Sequence, residues 1–596
     1  MLKKFFSNLL SSFMGAWIAL MLFGVVVVIV IFAVLGKIGS MGGDTTKMKR
    51  HSVLTLNLEG TIVETAPTVQ MDFRSMLLNR EENVQALNDL VAGLREGADN
   101  KDIDCLYIRC NGASASPATL HALRDAVAEF KKSGKPVYAY GDGLAQGDYY
   151  VATLADSLFL NPQGSVDLHG IAGMTPYLKG LFDKIGVRFD VFKVGTFKSA
   201  VEPYILTEMS EPARAQLDTL YNNIWNLMRG DMAQARKLKP QTIDSLINRD
   251  IVMLRPAEVA LKNKLVDKLM TNRQVNDFFK DFTGAEEEKD VNYVDVSWMA
   301  GSSSYFSNPS SKNQVAVLYA EGEIADGNPS QIDFQTIVPV ITELADNEDV
   351  KAMVLRVNSP GGSVFGSSEI ADALAYFKSK KKPFVVSMGD YAASGGYWIS
   401  CEADSIYADP MTITGSIGIF GLIPNVDGLL EKIGVSPQYV STYPNGFPLS
   451  PVKTLTAGQA AAMQQSIERG YDMFIARVAK GRKMKEERVR QIAEGRVWDG
   501  ALALKIGLVD RLASLDDAID TAAAMADISG NENVVIYPRP DDDVWAVLNQ
   551  MELNATQQLV ARALGPQADL KTVFMLTDIL NRKPVQALAP VIYFNF

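Results

Sequence analysis

PFVVSMGDYAASGGYWIS, residues 383–400, decides how this chain is read. Its first six residues, PFVVSM, are mostly apolar with two β-branched valines, and read as a strand. The small residues of AASGG follow, and then YWIS begins a helical pattern. Upstream, KAMVLRVN (351–358) and QVAVLYA (314–320) read as strands. Between them and the quoted stretch lies SSEIADALAYFKS, with Ile370, Leu374 and Phe377 at the i, i+4, i+7 spacing of a helix. DSIYAD, just after, is a strand again. Strands that alternate with helices predict an α/β fold, a parallel sheet covered on both faces.

Further out, the chain repeats itself. GDGLAQGDYY, from Gly141, lines up with GDYAASGGYW, from Gly389, at an offset of 248. DKIGV at Asp183 and EKIGV at Glu431 keep that offset, and VLTLNLEGTI (53–62) resembles VAVLYAEGEI (315–324). KNKLVDKL, from Lys262, matches KIGLVDRL, from Lys505, at 243, a drift that loop insertions produce. The period is too long for a solenoid. Two tandem α/β repeats are expected, at 51–299 and 314–541, joined by a Gly/Ser-rich linker at 300–313. Residues 542–596 remain as a C-terminal extension; VWAVLNQMELNATQQLVARAL within it has a helical pattern, so the extension is expected to be helical.

Residues 1–50 are expected to be an N-terminal membrane anchor. No charge occurs from residue 5 to 36, and about 20 apolar residues suffice to span a bilayer. The run is too long for a cleavable signal peptide and lacks an Ala-x-Ala site. Lys3 and Lys4 before it oppose Lys37, Lys47, Lys49 and Arg50 after it, so charge leaves the orientation undecided.

Composition closes several routes. The 596 residues carry a net charge of -11, which argues against a nucleic-acid partner. Three cysteines form no disulfide framework. Three histidines and three cysteines make a zinc site improbable, and neither metal nor cofactor is expected. All three histidines precede residue 170, which weakens a Ser–His–Asp reading.

Four features carry chemistry. Ser394 sits where a strand gives way to a helix, among neighbours small enough to admit a substrate carbonyl; the Gly395 N–H could stabilise an oxyanion. The same residues also read as a helix start that merely packs closely. The strand LRVN ends in SPGGSV, whose Gly361 and Gly362 could supply a second oxyanion donor or simply form a turn. The first repeat has Gln146 opposite Ser394 and NGASAS opposite SPGGSV, and glutamine is no acyl-accepting nucleophile. It has instead FKSAVEPY (197–204), where the second repeat offers no lysine. Lys198 is the candidate base, with the Ser199 hydroxyl as possible support for its amine. An ordinary lysine is neutral only about once in 2500 at pH 7, so burial must lower its pKa by roughly 3 units. Taken singly, Lys198 also reads as a surface lysine.

AASGGYW, NSPGGSV and FKSAVEP, in two repeats behind an N-terminal anchor, resemble signal peptide peptidase A of the long, duplicated form. The resemblance covers about residues 50–540. It implies a fold related to the Clp protease subunit and the crotonases, and a serine protease with a Ser–Lys dyad. The nucleophile matches Ser394, the base Lys198, and the oxyanion donors Gly395 with Gly361 and Gly362. It further implies remnant signal peptides and other apolar peptides as substrates, a ring-like homotetramer, and a single-pass place in the bacterial inner membrane with the catalytic region extracytoplasmic. A crotonase-like acyl-CoA enzyme would need neither Lys198 nor Ser394. A non-catalytic membrane scaffold would not need both glycine motifs intact.

Overall fold

The computed structural model describes residues 48–65, 83–301, 310–327, 331–537, 585–590 and 592. The expected anchor lies outside them. Among the described residues no helix is long and apolar enough to cross a membrane.

Each repeat builds its own parallel sheet. The first has six strands in the order Lys268–Leu269, Ser157–Leu160, Val137–Gly141, Ile103–Cys110, Ser52–Leu58, Tyr293–Asp295. The second runs Val497–Asp499, Ile413–Gly415, Phe384–Ala393, Val350–Ser359, Gln314–Glu321, Asn533–Tyr537, with Ser405–Ala408 and Arg511–Leu512 branching from Phe384–Ala393. Only Val497–Asp499 pairs antiparallel within it. The matched segments VLTLNL and VAVLYA become interior strands of the two sheets. Val53, Leu54, Val315 and Ala316 are fully buried, as strands covered on both faces require. The covering helices include Pro117–Lys131 and Val364–Ser379, and each repeat adds a 25-residue helix, Glu211–Ala235 and Ala457–Gly481. Ser210 and Thr456 cap these long helices by accepting N–H bonds from Ala213 and Gln459.

A third sheet was not foreseen, and it joins the repeats. Arg188–Val194 of the first repeat lies antiparallel to Ile419–Asn425 of the second, in register from Val194 opposite Ile419 to Arg188 opposite Asn425. RFDVFKV alternates, so this strand presents one face to each side. Phe192 and Val194 pack onto the second repeat's core, while Met411, Ile413 and Val497 of the second repeat belong to the first repeat's core. Buried polar pairs fasten the same seam: Arg356 makes two bonds to the Glu64 carboxylate, and Thr119 donates to Asp390.

Three expectations are corrected. The sheets are not all parallel: Val497–Asp499 runs antiparallel at the edge of the second sheet, and the connecting sheet mixes parallel with antiparallel pairs. The linker starts late, since the short helix Val296–Gly301 runs into its first two residues. The C-terminal extension is not helical where it is described: Val585–Leu588 is a strand, with strand edges on both sides to bond its backbone. The helical pattern at 544–564 lies outside the described residues.

Candidate active site

The strand Phe384–Ala393 ends against Ile413–Gly415, with Ala392 and Ala393 opposite Thr414 and Gly415. The next residue, Ser394, donates its N–H to the Gly415 carbonyl and accepts the Trp398 N–H, so it caps the helix Gly395–Ser400. Its backbone is at φ 55 and ψ -112. A non-glycine residue held there stores about 1–3 kcal/mol, which the surrounding contacts must offset. A strained strand-to-helix corner is also how hydrolases hold a nucleophilic serine clear of its strand.

Lys198 arrives from the other repeat. Four residues after the connecting strand Arg188–Val194, its Nζ lies 2.7 Å from Ser394 Oγ. The amine also donates to the carbonyl and the hydroxyl of Ser416, each at 3.0 Å. Both Lys198 and Ser394 are wholly buried. Burial holds the lysine well below its ordinary pKa. The backbone at Lys198 can come so close only because residue 495 is glycine: at φ 75, a Cβ there would meet Lys198 Cβ at 2.7 Å. Gln216, from the long first-repeat helix, donates to the Phe197 carbonyl and to Ser199 Oγ and accepts from the Val497 N–H. It ties the lysine segment to the second repeat.

Ser199, read from the sequence as support for the amine, is therefore engaged with Gln216, and Ser416 holds the amine instead. Neither Ser416 nor Gln216 was singled out in the sequence. Ser416 had one usable signal, a serine in the small-residue turn TGSIG at the same end of the sheet. Gln216 had none beyond its place on a helix.

The three glycines converge beside Ser394. A Cβ on Gly395 would lie 3.1 Å from both Gly361 Cα and Gly362 N. Gly361, at φ 104, faces the Gly395 N–H: a Cβ there would lie 2.7 Å from that nitrogen. The Gly361 N–H itself donates to Ser359 Oγ, so it is already engaged. Beside this cradle a cavity of about 660 Å³ is walled by Ala200, Tyr204, Pro360, Phe420 and Leu422 among others. The histidines lie elsewhere: His51 bonds Asp104, His121 bonds Asp409, and His169 faces a separate cavity with Trp225.

A buried serine hydroxyl lies against a buried amine, beside three converging glycines. Comparison with known proteins gives the particular family. The model of peptidase family S49 matches residues 129–285 and again 376–529, and that of Clp protease matches 308–407. Protease 4 of Salmonella typhi is 38% identical over 85% of this chain and 83% of its own length. Protease 4 of Haemophilus influenzae is 33% identical over 91% of each. A putative signal peptide peptidase SppA of Enterococcus faecium is 36% identical over 35% of this chain and 63% of its own. The chain belongs to peptidase family S49 and is a serine protease, with the α/β repeat present twice.

Proposed function

We propose that Ser394 and Lys198 act as a Ser–Lys dyad, and that the observation carrying this is the 2.7 Å approach of the two buried groups across the repeat boundary. Burial lowers the Lys198 pKa and so favours the neutral amine, whose lone pair accepts the Ser394 proton. Its two N–H groups go to the Ser416 carbonyl and hydroxyl, which aim the lone pair at Ser394. Ser394 Oγ attacks the scissile carbonyl, and the Gly395 N–H with the Gly361–Gly362 turn stabilises the oxyanion. Lys198 returns the proton to the leaving amine, then activates the water that hydrolyses the acyl-enzyme.

The substrates are remnant signal peptides and other apolar peptides, a reading supported by Ala200, Phe420 and Leu422 in the cavity wall and by the relative whose name is signal peptide peptidase. Residues 5–36 anchor the chain once in the bacterial inner membrane, the catalytic region is extracytoplasmic, and the working form is a homotetramer. The apolar length of residues 5–36 supports the anchor, and family resemblance supports the rest.

The test is hydrolysis of an apolar fluorogenic peptide by the full chain in detergent. Ser394→Ala and Lys198→Ala should each lower kcat by about 10³-fold or more. The wild-type rate should rise with pH through an apparent pKa well below that of free lysine, because the base works only when deprotonated. Full activity in Ser394→Ala would refute the assignment. A wild type that binds peptides but cuts none would favour the scaffold.

A further inference from the structure

Within the connecting sheet, between Gly361–Ser363 and Ile419–Asn425, lies a strand that belongs to neither repeat. Val585–Leu588 pairs antiparallel with Gly361–Ser363 on one side, Leu588 opposite Gly361 and Gln586 opposite Ser363. On its other side Gln586 and Val585 face Phe420 and Gly421, again antiparallel. The Ala589 N–H donates to the Pro360 carbonyl at 2.7 Å, and Tyr391 Oη donates to the Ile592 carbonyl at 3.2 Å. Leu588 packs against Val201 and Phe420. An extended segment held by main-chain bonds on two edges, with a side chain in an apolar pocket, is how peptides are bound by strand addition.

The register places this strand on the reacting groups. The point where a Gly361 Cβ would stand is 2.1 Å from the Ala587 carbonyl oxygen and 2.7 Å from the Gly395 nitrogen. Ala587 O and the Gly395 amide are thus close neighbours across that glycine, and residue 587 is the small alanine. With the segment in place, Ser394 and Lys198 are wholly covered.

We infer that residues 585–590 occupy the cleft of the extended peptide substrate in a substrate-like register, so that the chain's own C-terminal segment competes with substrate. The inference rests on the dyad reading for what the cleft does, but not for what fills it. A competitor present in every molecule raises the apparent KM by the reciprocal of the fraction of clefts it leaves free, and leaves kcat alone.

Two variants and two readouts test it. One variant ends at residue 584; the other is full-length Leu588→Asp, which keeps the segment and spoils its apolar contact. Both should lower KM for the fluorogenic peptide by about threefold or more, with kcat unchanged. In the second readout, a fluorescein-labelled peptide of sequence VQALAPVI is titrated by anisotropy into Ser394→Ala proteins with and without residues 585–596. It should bind the shortened protein about threefold or more tighter, and the apolar peptide should displace it. Equal binding to both proteins, or none to either, overturns the inference. If the peptide binds the shortened protein preferentially while wild type hydrolyses nothing, the occupant is right and the dyad reading is wrong.

Discussion

The two repeats turn the same corner with opposite results. In the second, the corner residue is Ser394 at φ 55, its hydroxyl directed to a lysine. In the first, Ala145 caps the helix at φ -59 and Gln146 follows, with no positive φ. Gln146 is fully buried and spends its amide on its own loop: Oε1 accepts the N–H groups of His169 and Gly170, and Nε2 donates to the Gly170 carbonyl. Two residues on, the Asp148 carboxylate accepts the N–H groups of Gly112 and Ala113, in the loop that matches the glycine turn. The second repeat has Gly396 at that position, pressed against the Ser359 carbonyl. One corner thus keeps its strain beside a serine and an amine, while the other ties the Gly112 and Ala113 amides to Asp148 and the His169 and Gly170 amides to Gln146. Satisfying the polar groups internally stabilises the fold and removes the chemistry.

The sharpest break of this comparison is to exchange the corner residues. Ser394→Gln should abolish peptide hydrolysis, by about 10³-fold or more in kcat. Gln146→Ser should leave hydrolysis as it was, since no lysine reaches that corner and Asp148 holds the loop amides. Activity in the double variant Ser394→Gln, Gln146→Ser would show the two corners to be chemically equivalent. A smaller effect is expected at Ser416→Ala. It removes one of two acceptors that aim the amine, so kcat should fall roughly 10- to 100-fold with KM little changed. Steady-state kinetics separates this from a binding defect, in which KM would move instead.

The sequence shows this asymmetry only where it changes residue type. Serine against glutamine, and a lysine present in one repeat alone, mark Ser394 and Lys198 as candidates, and the family resemblance decides between them and the packing and surface-lysine readings. The meeting of the two was not legible, because it depends on Arg188–Val194 leaving its own repeat to pair with Ile419–Asn425. Pairing partners are set by tertiary context, and a seven-residue alternating segment carries no address. Ser416 and Gln216 act through hydrogen bonds whose partners lie far away in sequence. The strand at 585–588 is four residues long, too short for its periodicity to register against the helical pattern before it.

The smallest expected effect on catalysis, and the cleanest probe of the closed corner, is Asp148→Asn. Burial raises the Asp148 pKa to about 6, although the Gly112 and Ala113 N–H groups pull it down. An unfolded aspartate titrates near ~3.9. Between these values the folded chain keeps a proton that the unfolded chain has lost, so this group's contribution to stability falls as pH rises through that window. About two units correspond to roughly 3 kcal/mol, an upper figure for what the buried charge costs at pH 7. Asparagine has no proton to lose, and like the protonated acid it keeps one carbonyl oxygen to accept from the loop, where Gly112 and Ala113 bond different oxygens of Asp148. The variant should therefore lose that part of the pH dependence between about pH 4 and 6, match wild type near pH 4, and be equally or more stable at pH 7, with kcat and KM unchanged. Asp390 and Glu321 are also raised, to about 6 and about 7, so the informative quantity is the difference in Tm between variant and parent at each pH. An Asn variant that is destabilised at pH 7 and keeps the parent's pH slope would mean that the closed corner needs a full negative charge. The first repeat's loop would then be an anion-binding cradle already filled, closer in kind to the second repeat's oxyanion turn than its hydrogen bonding suggests.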